Sequence, residues 1–249
     1  MSAVVRAVRA VTSDLGALYA KGFSMFRLAP WVLAIVIIPE FAQHIVEISL
    51  GMFDSREAAR ALANDPVRWA FGYAKLAGLL LCFLASARFW WTKEHGGRWY
   101  DAREVAWVRL IIGVILFIAI GSLAEPFAAS LSPAMLLTAQ ILLSILSLPF
   151  LFMTLAGIFG DRSEAASVRF VLRSAWAFIP LLLILLVAAY GPLFVLHGWN
   201  HDWAMGSPVW LVWMLMIFDS LVVGGLAGLT GTAMYLAYRR FKNHAGGSN

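Results

Sequence analysis

One cysteine stands among 249 residues. Cys82 lies inside the apolar run LAGLLLCFLAS, so no disulfide can form within the chain and no cysteine-based metal motif exists. Charge is scarce as well. Only 13 % of residues are Asp, Glu, Lys or Arg, about half the share in a soluble domain, while 61 % are hydrophobic. Also absent are the Gly-Lys-Ser phosphate loop, the HExxH zinc helix, the GxSxG elbow and the Rossmann fingerprint. GLTG near the C-terminus places Thr230 where an intramembrane protease would need a nucleophilic Ser. No polar stretch is long enough to form a soluble catalytic domain. The expectation is therefore a non-enzymatic protein with no catalytic residue, no cofactor and no metal.

What is present is length in apolar runs. A helix needs about 20 mostly apolar residues to cross a bilayer, and six segments qualify: 28–50, 67–91, 108–127, 133–159, 176–196 and 208–238. Runs such as LIIGVILFIAIG and PLLLILLVAAYG lack the alternation of barrel strands. The fold class expected is all-α, a polytopic six-span bundle. The residues before the first span lack a short apolar core with a cleavage site, so they do not read as a cleavable signal peptide. Fifteen of the 19 Lys and Arg residues fall before span 1, after span 6, or in the 2–3 and 4–5 connections together with the span ends that border them, Arg88 and Arg109 being at such ends. Positive charge resists translocation, which places both termini in the cytoplasm. The sequence pI near 9.7 then calls for anionic lipid headgroups as partners and not nucleic acid.

The cytoplasmic segments carry helical patterns of their own. In residues 1–27, Val4, Val8, Val11, Leu15 and Leu18 recur at helical spacing with Arg6, Arg9 and Lys21 between them, which predicts an interfacial amphipathic helix. SEAASVRFVLRSAWAFIP repeats the pattern before span 5, with Ser163 as cap and Glu164 in the first turn, and YDAREVAWVRL is a shorter case before span 3. Amphipathic segment, span, outside turn and span thus recur three times, a weak internal repeat.

Polar groups interrupt the spans at a few places. IIPEFAQHIVEISL sets Glu40, His44 and Glu47 on one face of span 1, with Gln43 beside them and Pro39 kinking the helix and freeing the carbonyl near Ile35. At about 1.5 Å rise per residue, Glu40 lies near the midplane, His44 in the outer leaflet and Glu47 near the outer interface. Asp219 in span 6 reaches the depth of Glu40, Lys75 in span 2 lies nearer His44 and Glu47, and Glu125 stands at the outer end of span 3. Buried charges must find one another, so Lys75 is expected to pair with Glu47 or Glu40, and Asp219 with His44 or with Glu40 through a shared proton. Three readings are open. A metal site has the His and Glu spacing of one half of a di-metal bundle but no second such helix in view; a proton or ligand site would need a cavity open to the outside; a satisfied hydrogen-bond network between helices is the reading we rank first. Span 6 also carries Gly224, Gly228 and Gly231, a small surface for close helix packing.

The order of amphipathic helix, six spans with both ends inside, and DRSEAASVRFVLRSAWAFIP after span 4 resembles the YciC-like bacterial inner-membrane proteins and the membrane domain attached to some glycerophosphodiester phosphodiesterases. In that group the fourth span is followed by an acidic residue and a helix bearing Ser, Arg and a late Trp, matched here by Asp161, Ser167, Arg169, Arg173, Ser174 and Trp176. Pro149 stands for the group's fourth-span proline, without the Gly that often follows it. The resemblance implies a domain of the bacterial cytoplasmic membrane concerned with lipids or envelope maintenance. The sequence thus divides into an interfacial segment 1–27, a membrane domain 28–238 and a basic tail 239–249. We expect a lipid-binding protein or a supporting subunit of a membrane complex, with a membrane-protein partner or a second copy of itself. The alternative is a small-molecule or proton-linked transporter using the acidic and His groups.

Overall fold

Prolines open three of the long helices. Pro30, Pro66 and Pro133 are the first residues of α2 (Pro30–Ser49), α4 (Pro66–His95) and α6 (Pro133–Ile158), where a missing N–H costs nothing and φ is preset for the helix. Side chains complete the starts: Asp65 accepts from the N–H groups of Val67 and Arg68 at 2.9 and 3.1 Å, and Ser132 accepts from Met135 N–H. The other helices are α1 (Ala3–Leu28), α3 (Arg56–Ala61), α5 (Trp107–Gly121), α7 (Val168–Ser174), α8 (Ile179–Ala204) and α9 (Val209–Gly246). This computed structural model describes residues 3–246, and no strand occurs among them. Six segments are long and apolar enough to cross a membrane, so the chain is a multi-pass helical protein. Their outward side chains suit lipid: Trp31, Ile38 and Val187 are exposed by 80, 66 and 69 %.

The chain divides into two compact units, Met1–Trp90 with Ile184–Ala233, and Trp91–Leu183 with Met234–Asn249. In the first unit α2 buries Val32, Leu33, Val36, Glu40, Gln43, His44 and Glu47, one helical face that changes from apolar to ionisable at Pro39. Helix α1 turns inward with Asp14, Leu18 and Met25, all buried, while Val8, part of the expected apolar stripe, is exposed. The glycines of α9 pack within the same unit. A Cβ on Gly224 would meet Ile37, and one on Gly228 would meet Leu33 and Met25. Gly231 crosses α4 so closely that a Cβ would stand 2.5 Å from the carbonyl oxygen of Phe83 and 3.0 Å from Ala87 N. Beside it the Trp90 indole donates to Thr232 Oγ1 at 3.0 Å.

In the second unit α5 meets α6 at Gly157, whose carbonyl accepts from Ala106 N–H at 2.9 Å and which has no room for a Cβ against Leu110. The loop after α6 is fixed by charge. Arg109 donates to the carbonyls of Asp161, Arg162 and Ser163 at 2.7–2.8 Å, while the Asp161 carboxylate accepts from Tyr238 and Lys242, each at 2.7 Å. Burial pushes the Asp161 carboxyl up, and bonds from Lys242, Tyr238 and Ser163 more than offset that, holding it at about 2.

Some boundaries differ from the sequence reading. The helical cap before span 5 is Ser167, which accepts from Phe170 N–H at 3.3 Å, because Glu164–Ala166 form a separate 3-10 turn. The segment before α5 is likewise a 3-10 turn, Ala102–Glu104. The basic residues from 239 to 246 continue α9. Helix α8 runs on to Ala204, past the expected end at 196, because the polar residues of HGWNHDWA find partners inside the unit.

Gly231→Ala should cost about 1–3 kcal/mol through overpacking against the α4 backbone. Gly16→Ala, with nothing within 4 Å of its Cβ, should be neutral or stabilising by up to about 1 kcal/mol. Thermal unfolding of the two variants in detergent checks this. A second expectation concerns acid. The Asp161 carboxyl is held below its ordinary value, so its contribution is complete above about pH 4 and is lost as pH falls toward 2. Melting curves of wild type and Asp161→Asn should converge across that window and stay apart above it.

Candidate functional site

Four helices of the first unit direct polar side chains to one place. Helix α2 supplies Glu40, Gln43, His44 and Glu47; α4 supplies Arg68 and Lys75, seven residues apart and so on one face. Helix α8 supplies His197, Asn200 and His201 with the same i, i+3, i+4 logic, and α9 supplies Asp219. Glu40, His44, Glu47 and Asp219 have 0–2 % of their side chains exposed. His197, His201, Lys75 and Arg68 form the rim at 20–28 %.

One carboxylate oxygen is the centre. Asp219 Oδ2 lies 2.6 Å from His197 Nδ1, 3.2 Å from His44 Nε2 and 3.5 Å from His201 Nε2, and Asn200 donates to Oδ1 at 2.9 Å. His44 faces carboxylates on both sides: Nε2 is 3.3 Å from Glu40 Oε1, and Nδ1 is 3.1 Å from Glu47 Oε2. A neutral imidazole has one N–H. Both contacts are attractive only when a proton or another cation sits on the Nε2 side while Nδ1–H is donated to Glu47. Glu47 is itself held, since Oε1 accepts from Gln43 at 2.7 Å and from Arg68 Nε at 2.9 Å. Lys75 Nζ stands 2.9 Å from Glu40 Oε1.

Two features of this arrangement bear on what it can bind. Among the described residues, Glu40, Glu47 and Asp219 face Lys75, Arg68 and three imidazoles, so a proton on one imidazole, or a bound cation, balances the charge. Glu40 Oε2 is a buried atom with no hydrogen-bond partner, and such an atom carries a cost unless something fills the position. Donor atoms of His44, His201 and Asp219 lie within 4.8 Å of one another, as do those of Glu40, His197 and Asp219.

Glu40, His44, Glu47, Lys75 and Asp219, singled out from the sequence, meet here, and Lys75 pairs with Glu40, one of its two expected partners. Glu125 is exposed and belongs to the second unit. His197, His201, Asn200 and Arg68 were missed. The H-x-x-x-H spacing of HGWNH is the available signal, but it lies past residue 196, where the apolar run of span 5 ends.

Comparison with known proteins gives no match: the chain matches no family model, no curated protein and no solved structure. The site is therefore read on its own chemistry.

Removing the Asp219 charge should leave the imidazole and amide donors turned toward it unanswered inside the unit. Asp219→Asn is expected to destabilise the protein by about 3 kcal/mol or more. Asp202→Asn, which breaks a pair with Arg56 whose side chains are 59 and 66 % exposed, should change stability by less than about 1 kcal/mol. Parallel melts in detergent check the difference.

Proposed function

We propose that the protein is a non-enzymatic, multi-pass component of the bacterial cytoplasmic membrane that takes up a small cation at the Asp219 cluster, a carrier rather than a scaffold. Both termini are cytoplasmic in this reading, by the distribution of Lys and Arg, which puts the cluster in the outer half of the membrane. The resemblance to YciC-like proteins belongs to the same proposal and adds the bacterial envelope. The observation that carries the reading is three buried carboxylates against two fixed cations, whose balance depends on a proton or another cation among the imidazoles, next to a Glu40 oxygen with no hydrogen-bond partner. Buried ionisable groups of this kind mark ion pathways in membrane proteins.

A second reading, lipid binding, is favoured by a groove of ≈ 490 Å³ between α2 and α9, lined by Ile38, Phe41, Ile45, Ile217 and Leu221 among others and wholly apolar where it is accessible. An acyl chain fits that chemistry.

Charge entering a low-dielectric site produces a measurable displacement current, even without turnover. Wild-type protein in proteoliposomes on a solid-supported membrane should give currents on steps in cation concentration or pH, and Asp219→Asn or Glu40→Gln protein that reconstitutes as a folded, monodisperse species should give none. No current from wild type with any cation, together with lipid retained in native mass spectrometry, would transfer the assignment to the groove.

A further inference from the structure

We infer that the cation is a divalent transition-metal ion of the zinc type, held in a four-coordinate site by His44 Nε2, His201 Nε2, Asp219 Oδ2 and a Glu40 carboxylate oxygen. This rests on the cation-binding reading above and names its ligand class. Tetrahedral coordination with bonds of about 2.0–2.1 Å places ligand atoms about 3.3 Å apart. Three of the six ligand pairs stand near that spacing: His44 to Asp219 at 3.2 Å, His44 to Glu40 Oε1 at 3.3 Å, and His201 to Asp219 at 3.5 Å; His44, His201 and Asp219 form one donor group, and Glu40 joins it when the ion draws it from Lys75.

The atoms around this set do what the outer groups of a metal site do. Glu47 accepts the Nδ1–H of His44, which leaves the Nε2 lone pair directed to the centre, and Arg68 with Gln43 fixes Glu47. His197 and Asn200 bond to Asp219, one on each oxygen, and orient it. Glu40 is fully buried, with Oε2 unpartnered, and His201, whose Nε2 contacts only Asp219 at 3.5 Å, is the ligand nearest the rim. Two carboxylates match the charge of a divalent ion. Two imidazoles select against Mg²⁺ and Ca²⁺, which prefer all-oxygen shells, and favour Zn²⁺, Co²⁺ or their neighbours. Lys75, the present partner of Glu40, is the cation that the ion displaces.

The test is Co²⁺ titration of the full-length, chelator-treated protein in detergent, read by visible absorption, in which four-coordinate Co²⁺ absorbs far more strongly than six-coordinate. Wild type should bind one Co²⁺ per chain with the four-coordinate spectrum, lose it to Zn²⁺ and keep it in excess Mg²⁺. His44→Ala and Glu40→Gln should abolish the spectrum. Glu47→Gln, which leaves every ligand in place, should weaken binding about 10–100-fold without changing the band shape, and serves if a ligand variant fails to fold. No Co²⁺ bound by wild type, or Co²⁺ bound equally by folded His44→Ala, overturns the inference. If that happens while displacement currents driven by protons or monovalent cations persist, the metal assignment alone falls. If the currents are absent too, the cation reading falls with it.

Discussion

A carboxylate cut off from water must be answered by protein, and Asp219 is the carboxylate on which the first unit is organised. Its side chain is fully buried, and a lone charge at the centre of a bilayer costs at least about 2.5–3.5 kcal/mol. The answer comes from two other helices at once. α2 contributes His44, while α8 stays helical to Ala204 and so contributes His197, Asn200 and His201. Helix α4 then enters through the acids of α2, with Lys75 on Glu40 and Arg68 on Glu47. Hydrophobic burial cannot choose one arrangement of helices inside lipid, because the tails are as apolar as the side chains. The polar cluster at one end of α2, and the close backbone crossing of Gly231 over α4, supply that choice.

How much of this was legible depends on where each residue sits along its helix. Glu40, His44, Lys75 and Asp219 stood out because each interrupts an apolar window, and helical spacing alone put Glu40, His44 and Glu47 on one face. His197, His201 and Arg68 lie near helix ends, where polar residues are ordinary, so nothing local separated them from a loop or an interface. The helix ends are the point of failure: α8 outruns its hydrophobic stretch because its last two turns bury polar groups among polar partners, a property of the assembled unit and not of the segment. The Asp161 knot was invisible for a related reason. Asp161 was noticed only for its resemblance to a family pattern, and its partners Arg109, Tyr238 and Lys242 are dozens of residues distant in sequence.

The two basic residues at the cluster are of different kinds, and the difference bears on how a cation could come and go. Arg68 sits in the first turn of α4, donates from Nε to Glu47 and from a second nitrogen to Ala63 O at 3.0 Å. A planar guanidinium bound at two points is fixed, and what it fixes is the carboxylate that orients His44. Lys75 is a point charge on a flexible stem with 20 % of its side chain exposed, and it pairs with Glu40. Glu40 is also the carboxylate with an unpartnered oxygen. A site built to hold an ion permanently would gain nothing from a tethered ammonium competing for one of its ligands. In a site that exchanges its ion, the same ammonium stabilises the empty state and lowers the barrier to release. The pairing of a doubly bound arginine on Glu47 with a flexible lysine on Glu40 is therefore what the proposed carrier reading asks of the site, exchange rather than storage.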